Sequence, residues 1–187
     1  MITPKVSEGR VVFGPCRLSY AHLFEKHSID PAQEGKYMTN VLIPKSETET
    51  IKALERAIEH AKTAGVASKW EGTLPKKLEL PLRDGDERED EDEEYAGHLF
   101  VNAKSSTRPG LVDRNRVPIV DEEELYSGVW AIVSVTFYPY NAAGKKGVAC
   151  GLNNVMKFKD GDRMGGRMSA DADFADVRLD DDEDDDL

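Results

Sequence analysis

The chain lacks any long hydrophobic segment. None of its apolar stretches approaches the roughly 18–20 residues that a helix needs to cross a bilayer. Its first residues, Met1 to Lys5, also lack the apolar segment of a signal peptide. These absences argue against a membrane-spanning protein and against a secreted one. We therefore expect a cytoplasmic protein that has no membrane as a partner.

Cysteine is scarce, and the spacing of the two cysteines does not predict a metal site. Cys16 and Cys150 lie far apart, and neither has a second cysteine or a histidine at metal-binding spacing. In a reducing cytosol, both are expected to be buried thiols. The four histidines are scattered along the chain, and we expect surface or strand positions for His22, His27, His60 and His98.

Catalytic motifs are missing as well. Gly144 and Lys145 do not form a phosphate-binding loop, because the glycine needed five residues earlier is Pro139. No serine, histidine and aspartate stand in the sequence context of a known nucleophile. We therefore expect no enzyme activity, no cofactor and no bound metal.

Acidic residues are abundant, but they are concentrated in two runs. Residues 171–187 hold ten acids and one base, a net charge of −9, and residues 84–94 hold nine acids and one base, a net charge of −8. Because the whole chain carries −11, the other 159 residues carry +6. The sequence thus predicts a mildly basic body, which favours polyanionic ligands.

The C-terminal run ends in seven consecutive acids and one leucine. Since such a run has almost nothing to bury and its charges repel one another, it predicts a disordered tail over 171–187. A tail of this kind competes for a polyanion site or recruits a partner, although acidic runs also serve solubility alone. The solubility interpretation is favoured for residues 84–94, expected as a flexible loop. The residues expected to bind a partner are Asp180, Asp181, Asp182, Glu183, Asp184, Asp185, Asp186 and Leu187.

The first 170 residues predict one domain, mainly β, with one principal helix. Ser46 and Glu49 form a capping box at the start of that helix, and Gly65 is its predicted end. The clearest strand, 128–138, alternates apolar side chains onto one face, and the turn 141–144 leads into a returning strand. Short bent strands around one helix favour a small barrel over a sandwich. The other predicted strands are 10–20, 36–43, 98–103, 146–152 and 155–159, and long loops are predicted at 22–35 and 104–118.

The polar faces of these strands carry the two features that bind single-stranded nucleic acid, namely basic side chains and aromatic rings on which bases stack. Each ring can also be interpreted as a packing residue, and Trp130 is expected to be packed. The rings expected to stack are Tyr37, Phe100, Tyr138 and Tyr140, and the expected phosphate ligands are Lys36, Lys104, Arg108, Arg114, Arg116, Lys145 and Lys146.

Five segments carry a family resemblance. The most specific is FYPYNAAGKKGVACGLNNV at 137–155, and the others are GPCRLSYAHLFE at 14–25, KYMTNVLIPKS at 36–46, AKSSTRPGLVDRN at 103–115 and GGR at 165–167. Together they resemble a group of bacteriophage single-stranded DNA-binding proteins over roughly residues 9–170.

That resemblance implies an oligonucleotide/oligosaccharide-binding (OB) fold: a five-stranded barrel with long loops. It also implies sequence-independent binding of single-stranded DNA, and a role in phage replication or recombination in the infected bacterial cell. The tail is similar to those of bacterial and phage single-strand binders, which dock onto replication proteins and compete with DNA. Many such tails end in phenylalanine, whereas this one ends in Leu187, so the tail's partner is not identified. The oligomeric state stays open, and a homo-oligomer is one of the states allowed.

Two other functions stay open on the sequence alone. An acidic interaction factor or DNA mimic would bind a basic host protein, but it needs fixed carboxylates on a folded body, and this body is basic. A metal-dependent nuclease needs acids on rigid elements, whereas the acids here lie mostly in the two runs.

Overall fold

Residues 1–88, 92–165 and 170–179 are described by the structure, a computed structural model. Three short 3-10 turns lie at Gly85–Glu87, Glu93–Tyr95 and Glu122–Glu124. The strands and helices, in chain order, are β1 (Lys5–Ser7), β2 (Arg10–His27), β3 (Lys36–Pro44), α1 (Thr48–Ser68), β4 (Leu82–Asp84), β5 (His98–Ser105), β6 (Gly110–Val112), β7 (Trp130–Ala142), β8 (Lys145–Lys159) and α2 (Ala170–Phe174).

The five long strands close into a barrel in the order β2, β3, β5, β8, β7 and back to β2. The contact that closes the barrel is parallel, with Ala103 of β5 opposite Cys150 of β8 and Lys104 opposite Gly151. The other four contacts are antiparallel. This arrangement confirms the predicted mainly β, OB-fold-like barrel with one principal helix.

The barrel interior is filled by alternate side chains of the strands. On β7, Ala131, Val133 and Val135 are at most 1% exposed, as the alternation of apolar residues predicted. Helix α1 packs an apolar stripe that includes Leu54 and Ile58 into the same core, beside β7 and β2. The helix therefore covers one side of the barrel.

Helix α1 differs from its prediction at both ends. It begins at Thr48, and the residue that precedes it, Glu47, makes no capping side-chain bond, so the predicted capping box is wrong. Gly65 lies inside the helix and does not end it. The reason is packing, because a Cβ atom at Gly65 would lie 2.6 Å from Cη2 of Trp70. A small residue is needed there for the indole to pack against the helix.

The first acidic run is more regular than the flexible loop that was predicted. Residues 84–88 and 92–94 belong to, or flank, β4 and two 3-10 turns. Lys45 anchors the start of the run, with its Nζ 2.7 Å from a carboxylate oxygen of Asp84 and 2.6 Å from one of Asp86. Hydrogen bonds to Lys45 lower the pKa of both carboxyls. We call residues 84–88 and 92–97 the acidic strap.

The second acidic run is described only in part. Ala170–Phe174 forms helix α2, so the start of the predicted disordered tail is helical. The predicted partner-binding residues 180–187 lie outside the described residues.

Both cysteines are buried and unbonded, as expected. Burial raises the pKa of the Cys16 thiol to about 12 and raises that of Cys150 further. In the part of the chain that the structure describes, no helix has both the length and the apolar character that a membrane span requires.

Candidate nucleic-acid interface

One outer face of the barrel forms an open groove with a volume of about 1050 Å³. Directly opposite residues of paired strands share a face, and the register sets Asn40 opposite Asn102, and Arg83 opposite Phe100. β4 fills the wedge where β5 and β8 diverge, because Glu79 just before it bridges to Gly147 of β8. We call this surface the groove face, and it comprises Lys36, Met38 and Asn40 of β3, Arg83 of β4, Phe100, Asn102 and Lys104 of β5, Tyr138 and Tyr140 of β7, Lys145 at the start of β8, and Gly147 and Gly151 of β8.

Three cations converge on the groove face. Burial has the largest effect in lowering the pKa of the Lys104 ammonium, and the charges of Lys36 and then Arg83 lower it further. An anion placed among these cations would relieve their repulsion, so the cluster favours a phosphate. Lys36 and Lys104 were predicted phosphate ligands, whereas Arg83 was missed. Its signal was weak because β4 is only three residues long.

Tyr138 and Tyr140 lie on the same face of β7, and their rings lie against glycines of β8. A Cβ atom at Gly151 would lie 3.3 Å from Cε1 of Tyr138, and one at Gly147 would lie 2.7 Å from the Tyr140 hydroxyl. The absence of side chains at the two glycines therefore lets both rings lie across the strand. Tyr138 is 44% exposed, which leaves its ring open to a stacking partner.

Tyr140 is held more firmly than Tyr138. Its hydroxyl donates a 2.6 Å hydrogen bond to Oε2 of Glu79. Burial, together with this bond to a carboxylate, raises the pKa of the Tyr140 hydroxyl to about 12. The charge of Arg83 opposes that rise, and Arg83 lines the same groove as Lys104. The predicted rings and the predicted cations thus meet around Arg83.

The two lysines of the hairpin tip point to different sides. Ala143 and Gly144 both have positive φ, of 50° and 83°, as a two-residue type I′ turn requires. After this turn, Lys145 is exposed and falls on the same side of β8 as Gly147. Lys146 pairs with Asn141 and falls on the opposite side. The structure therefore brings Lys145, but not Lys146, towards the groove face.

Phe100 is on the expected face but is not open. The ring is only 5% exposed, because Tyr95 of the acidic strap meets it edge-on with 5.1 Å between the centroids and an interplanar angle of 88°. The guanidinium of Arg88 also lies over it, with Cζ 5.4 Å from the ring centroid. The expectation of a solvent-facing Phe100 was wrong, because the covering residues come from a segment interpreted as a flexible loop.

A chain of amides anchors Tyr95 beside the groove. Nδ2 of Asn102 donates to Oδ1 of Asn40 at 2.7 Å, and Nδ2 of Asn40 donates to the Tyr95 hydroxyl at 2.7 Å. Tyr95 is 1% exposed, so its hydroxyl needs this partner. This network could not be predicted from the sequence, since its members are far apart along the chain.

Tyr37 lies on the other side of β3. It pairs with Ser105, and the register continues through Thr39 opposite Ala103, both fully buried, which places Tyr37 on the core-facing side at the rim. Its ring has Nζ of Lys26 at 6.0 Å from the centroid. Lys36 and Tyr37 were predicted together, but strand alternation separates them.

The three predicted arginines lie away from the groove face, and two of them contact aromatic rings there. Cζ of Arg108 lies 5.6 Å from the centroid of Phe24 on β2, and Cζ of Arg114 lies 4.7 Å from that of Phe158 on β8. Arg116 is exposed in the turn that follows β6, with a φ of 65°. The structure therefore does not bring these three together with Lys36 and Lys104.

A second basic and aromatic patch surrounds Trp130, which is half-buried. Lys159 and Arg17 flank its indole, with Nζ and Cζ 5.2 and 6.0 Å from the ring centroid. Arg17 already donates to the backbone carbonyl of Gly128 at 3.2 Å. This arginine is committed to the fold, so the patch is a weaker candidate than the groove face.

Metal ligation was also assessed over the described ranges 1–88, 92–165 and 170–179. They contain no group of three histidine, cysteine, aspartate or glutamate side chains that could hold a metal ion. The groove face instead offers cations, amides and rings, which suit a polyanion with planar bases.

Comparison with known proteins identifies relatives over nearly the whole chain. Residues 9–187 match the sequence model of a family described as the single-stranded DNA-binding protein of Enterobacter phage Enc34. The protein p50 of Acyrthosiphon pisum secondary endosymbiont phage 1 is 33% identical over 174 residues, which cover 87% of this chain and 91% of p50.

Solved structures give the same picture. The single-stranded DNA-binding protein of bacteriophage Enc34, in complex with single-stranded DNA, is 27% identical, with a TM-score of 0.75 over 84% of this chain and 90% of that one. At 16% identity, gp2.5, a single-stranded DNA-binding protein encoded by bacteriophage T7, shares the fold, with a TM-score of 0.60 over 94% of this chain and 97% of that one.

Proposed function

Because this chain belongs to the Enterobacter phage Enc34 single-stranded DNA-binding protein family, we propose that it binds single-stranded DNA on its groove face without sequence preference. The observation that carries the proposal is that Lys36, Arg83 and Lys104 lie on the same outer face as Tyr138 and Tyr140. This is a family of DNA-binding proteins, which agrees with the prediction that the chain is not an enzyme.

Two kinds of interaction hold the DNA in the groove, namely ion pairs with phosphates and stacking of bases on aromatic rings. Lys36, Arg83 and Lys104 bind phosphates, and Lys145 extends the positive charge to the hairpin tip. Bases stack on the open ring of Tyr138, where each stacked base contributes roughly 1–3 kcal/mol. Tyr140, which is held by its hydrogen bond to Glu79, offers a second ring along the same path of the DNA. Binding of this kind reads no base edge, so it is independent of sequence.

The remaining predicted contacts stay predictions that the groove assignment does not use. They can be tested one at a time by removing the charge or the ring. These residues are Tyr37, Arg108, Arg114, Arg116 and Lys146.

Fluorescence anisotropy with a labelled oligothymidine tests the proposal directly. We expect tight binding that weakens as salt rises, with a slope of log K on log salt of about −0.7 for each phosphate neutralised. Duplex DNA, protein-free DNA and reactions with magnesium serve as comparisons. No binding to the single strand would refute the proposal, and magnesium-dependent loss of DNA would favour a nuclease.

For the cell, the proposal extends to replication or recombination of phage DNA in the cytoplasm of the infected bacterium. The C-terminal tail then recruits replication or recombination proteins and competes with DNA when the groove is empty. Two observations support the competition. The body is basic while the tail is acidic, and Met164, shortly before the tail, packs against the cluster that contains Phe100. A tethered segment starting so close reaches a local concentration in the millimolar range.

Deletion of residues 171–187 tests the tail. We expect the shortened chain to bind oligothymidine more tightly and with a steeper salt dependence, because DNA no longer displaces an internal polyanion. Identical salt curves for the two chains would remove the competitor role. Light scattering of the same two samples establishes the oligomeric state, for which a homo-oligomer is one candidate.

A further inference from the structure

The guanidinium of Arg88 occupies a cage of aromatic rings at the edge of the groove. Its Cζ lies 4.0 Å from the ring centroid of Tyr95, 5.4 Å from that of Phe100 and 5.8 Å from that of Tyr20. Such distances are those of cation–π contacts, in which a planar guanidinium lies against a ring. Arg88 and Phe100 both line the groove, so the cage opens onto the proposed path of the DNA.

Asp92 latches the guanidinium in this position. Its Oδ2 lies 3.1 Å from Nη2 of Arg88 and accepts a 2.8 Å hydrogen bond from the Tyr20 hydroxyl. The side chains of Arg88 and Asp92 are 19% and 33% exposed, so solvent screens this ion pair in part. This ion pair can therefore break when another anion replaces the Asp92 carboxylate beside Arg88.

The backbone of Tyr20 is unusual for a residue of its size. Its φ is 48°, in the left-handed region that a bulky side chain rarely adopts. The residue lies where the register between β2 and β3 shifts, between Ser19 and His22. Strand irregularities with rare backbone angles often re-aim a side chain at a functional site. Here the irregularity directs the Tyr20 ring to the strap, and the ring stays 49% exposed.

We propose that Arg88 is a gate over a base-stacking subsite made by Phe100, Tyr95 and Tyr20. When single-stranded DNA enters the groove, a base takes the place of the guanidinium against the rings. Arg88, released from Asp92, then pairs with a phosphate of the same strand. One planar group replaces another, and one anion replaces another, so the exchange preserves both kinds of contact.

This inference rests on the proposed DNA binding and gives Phe100 a role that its burial in the free protein conceals. It also gives the acidic strap a function beyond solubility, since the strap supplies both the guanidinium and its latch. Asn40 and Asn102, which hold Tyr95 in place, keep the floor of the subsite rigid during the exchange.

The test uses the full chain and two matched charge changes. Asp92→Asn opens the latch, while Glu93→Gln removes the same charge from the next residue. Affinity for oligothymidine is measured by anisotropy at 0.15 M salt. We expect Asp92→Asn to bind about threefold or more tightly than the wild type, and Glu93→Gln to change affinity by less than about twofold, because exposed charges are screened.

A second measurement follows the base itself. Phe100→Leu keeps an apolar residue but removes the ring, and an oligonucleotide with a central 2-aminopurine reports stacking by fluorescence quenching. We expect Phe100→Leu to reduce the quenching and to abolish the gain from Asp92→Asn in the double variant. Thermal unfolding of each variant verifies that the barrel is intact.

The results of these experiments distinguish failure of the proposed Arg88 gate from failure of the proposed DNA binding. Equal gains from Asp92→Asn and Glu93→Gln would reduce the effect to net charge and overturn the gate. Weaker binding by Asp92→Asn, or unchanged quenching with Phe100→Leu, would overturn it too. In each of these cases the wild type still binds DNA, whereas failure of the proposed function would appear as a wild type that does not bind.

Discussion

Removal of Arg83 is the sharpest test of the groove face, because this arginine joins the cationic cluster to the tyrosines. Arg83→Ala deletes a guanidinium that lowers the pKa of Lys104 and opposes the rise in the pKa of Tyr140. A hydrogen bond to a charged group contributes about 1.5–3 kcal/mol. Part of that loss is offset, since Lys104 no longer faces a second nearby cation besides Lys36.

We therefore expect the lower end of this range, about 1.5 kcal/mol, which is a little more than a tenfold loss of affinity for oligothymidine. The salt dependence gives a second and independent readout. If Arg83 neutralises one phosphate, the slope of log K on log salt becomes less negative by about 0.7. Arg83→Lys retains the charge, so it should restore the slope while recovering only part of the affinity.

Arg56 provides the matched control. It is exposed on α1, outside the groove face, and Arg56→Ala removes the same charge. Fluorescence anisotropy across a salt series for the three variants and the wild type gives both affinity and slope. Equal effects of Arg83→Ala and Arg56→Ala would refute the reasoning, because the loss would then depend on net charge alone.

Three further predictions follow from single contacts. Tyr138→Ala should weaken oligothymidine binding by about 1 kcal/mol or more in anisotropy, while Tyr138→Phe, which keeps the ring, should bind normally. Gly65→Ala should lower the free energy of unfolding in urea by about 1–3 kcal/mol, because the new Cβ overlaps the Trp70 ring. Burial of Cys16 favours its thiol over its thiolate in the folded protein. The contribution of this thiol to the free energy of unfolding is therefore complete below the ordinary pKa of 9.0 and is lost as pH rises towards about 12. Ellman's reagent at pH 8 should therefore react with Cys16 and Cys150 only after urea unfolds the protein, and rapid reaction in native buffer would contradict their burial.

The fold was predictable where the sequence pattern is local. The alternation along β7 identified both the buried face and the outward tyrosines, and the turn predicted at 141–144 lies at the tip of the hairpin of β7 and β8. Closure of the barrel was different, since the parallel contact of Lys104 with Gly151 joins distant segments. For that step the short bent strands favoured a barrel, and the family resemblance implied that it has five strands.

The site was predictable only in part, because burial depends on what covers a strand. Phe100 was assigned to the correct face of β5, but Tyr95 and Arg88 cover it from a segment dominated by acids. Arg83 was missed since β4 has three residues and no clear alternation. Tyr37 was grouped with Lys36 because the two are adjacent in sequence, but neighbouring residues of a strand point to opposite sides, so Tyr37 lies on the core-facing side at the rim.

Because both native thiols are buried, the protein is suited to site-specific fluorescent labelling. A new cysteine placed at an exposed position of the hairpin tip, such as Ala143→Cys, would be the one reactive toward maleimide dyes among the described residues. A dye at that position would report arrival of a DNA strand in real time without mutation of Cys16 or Cys150.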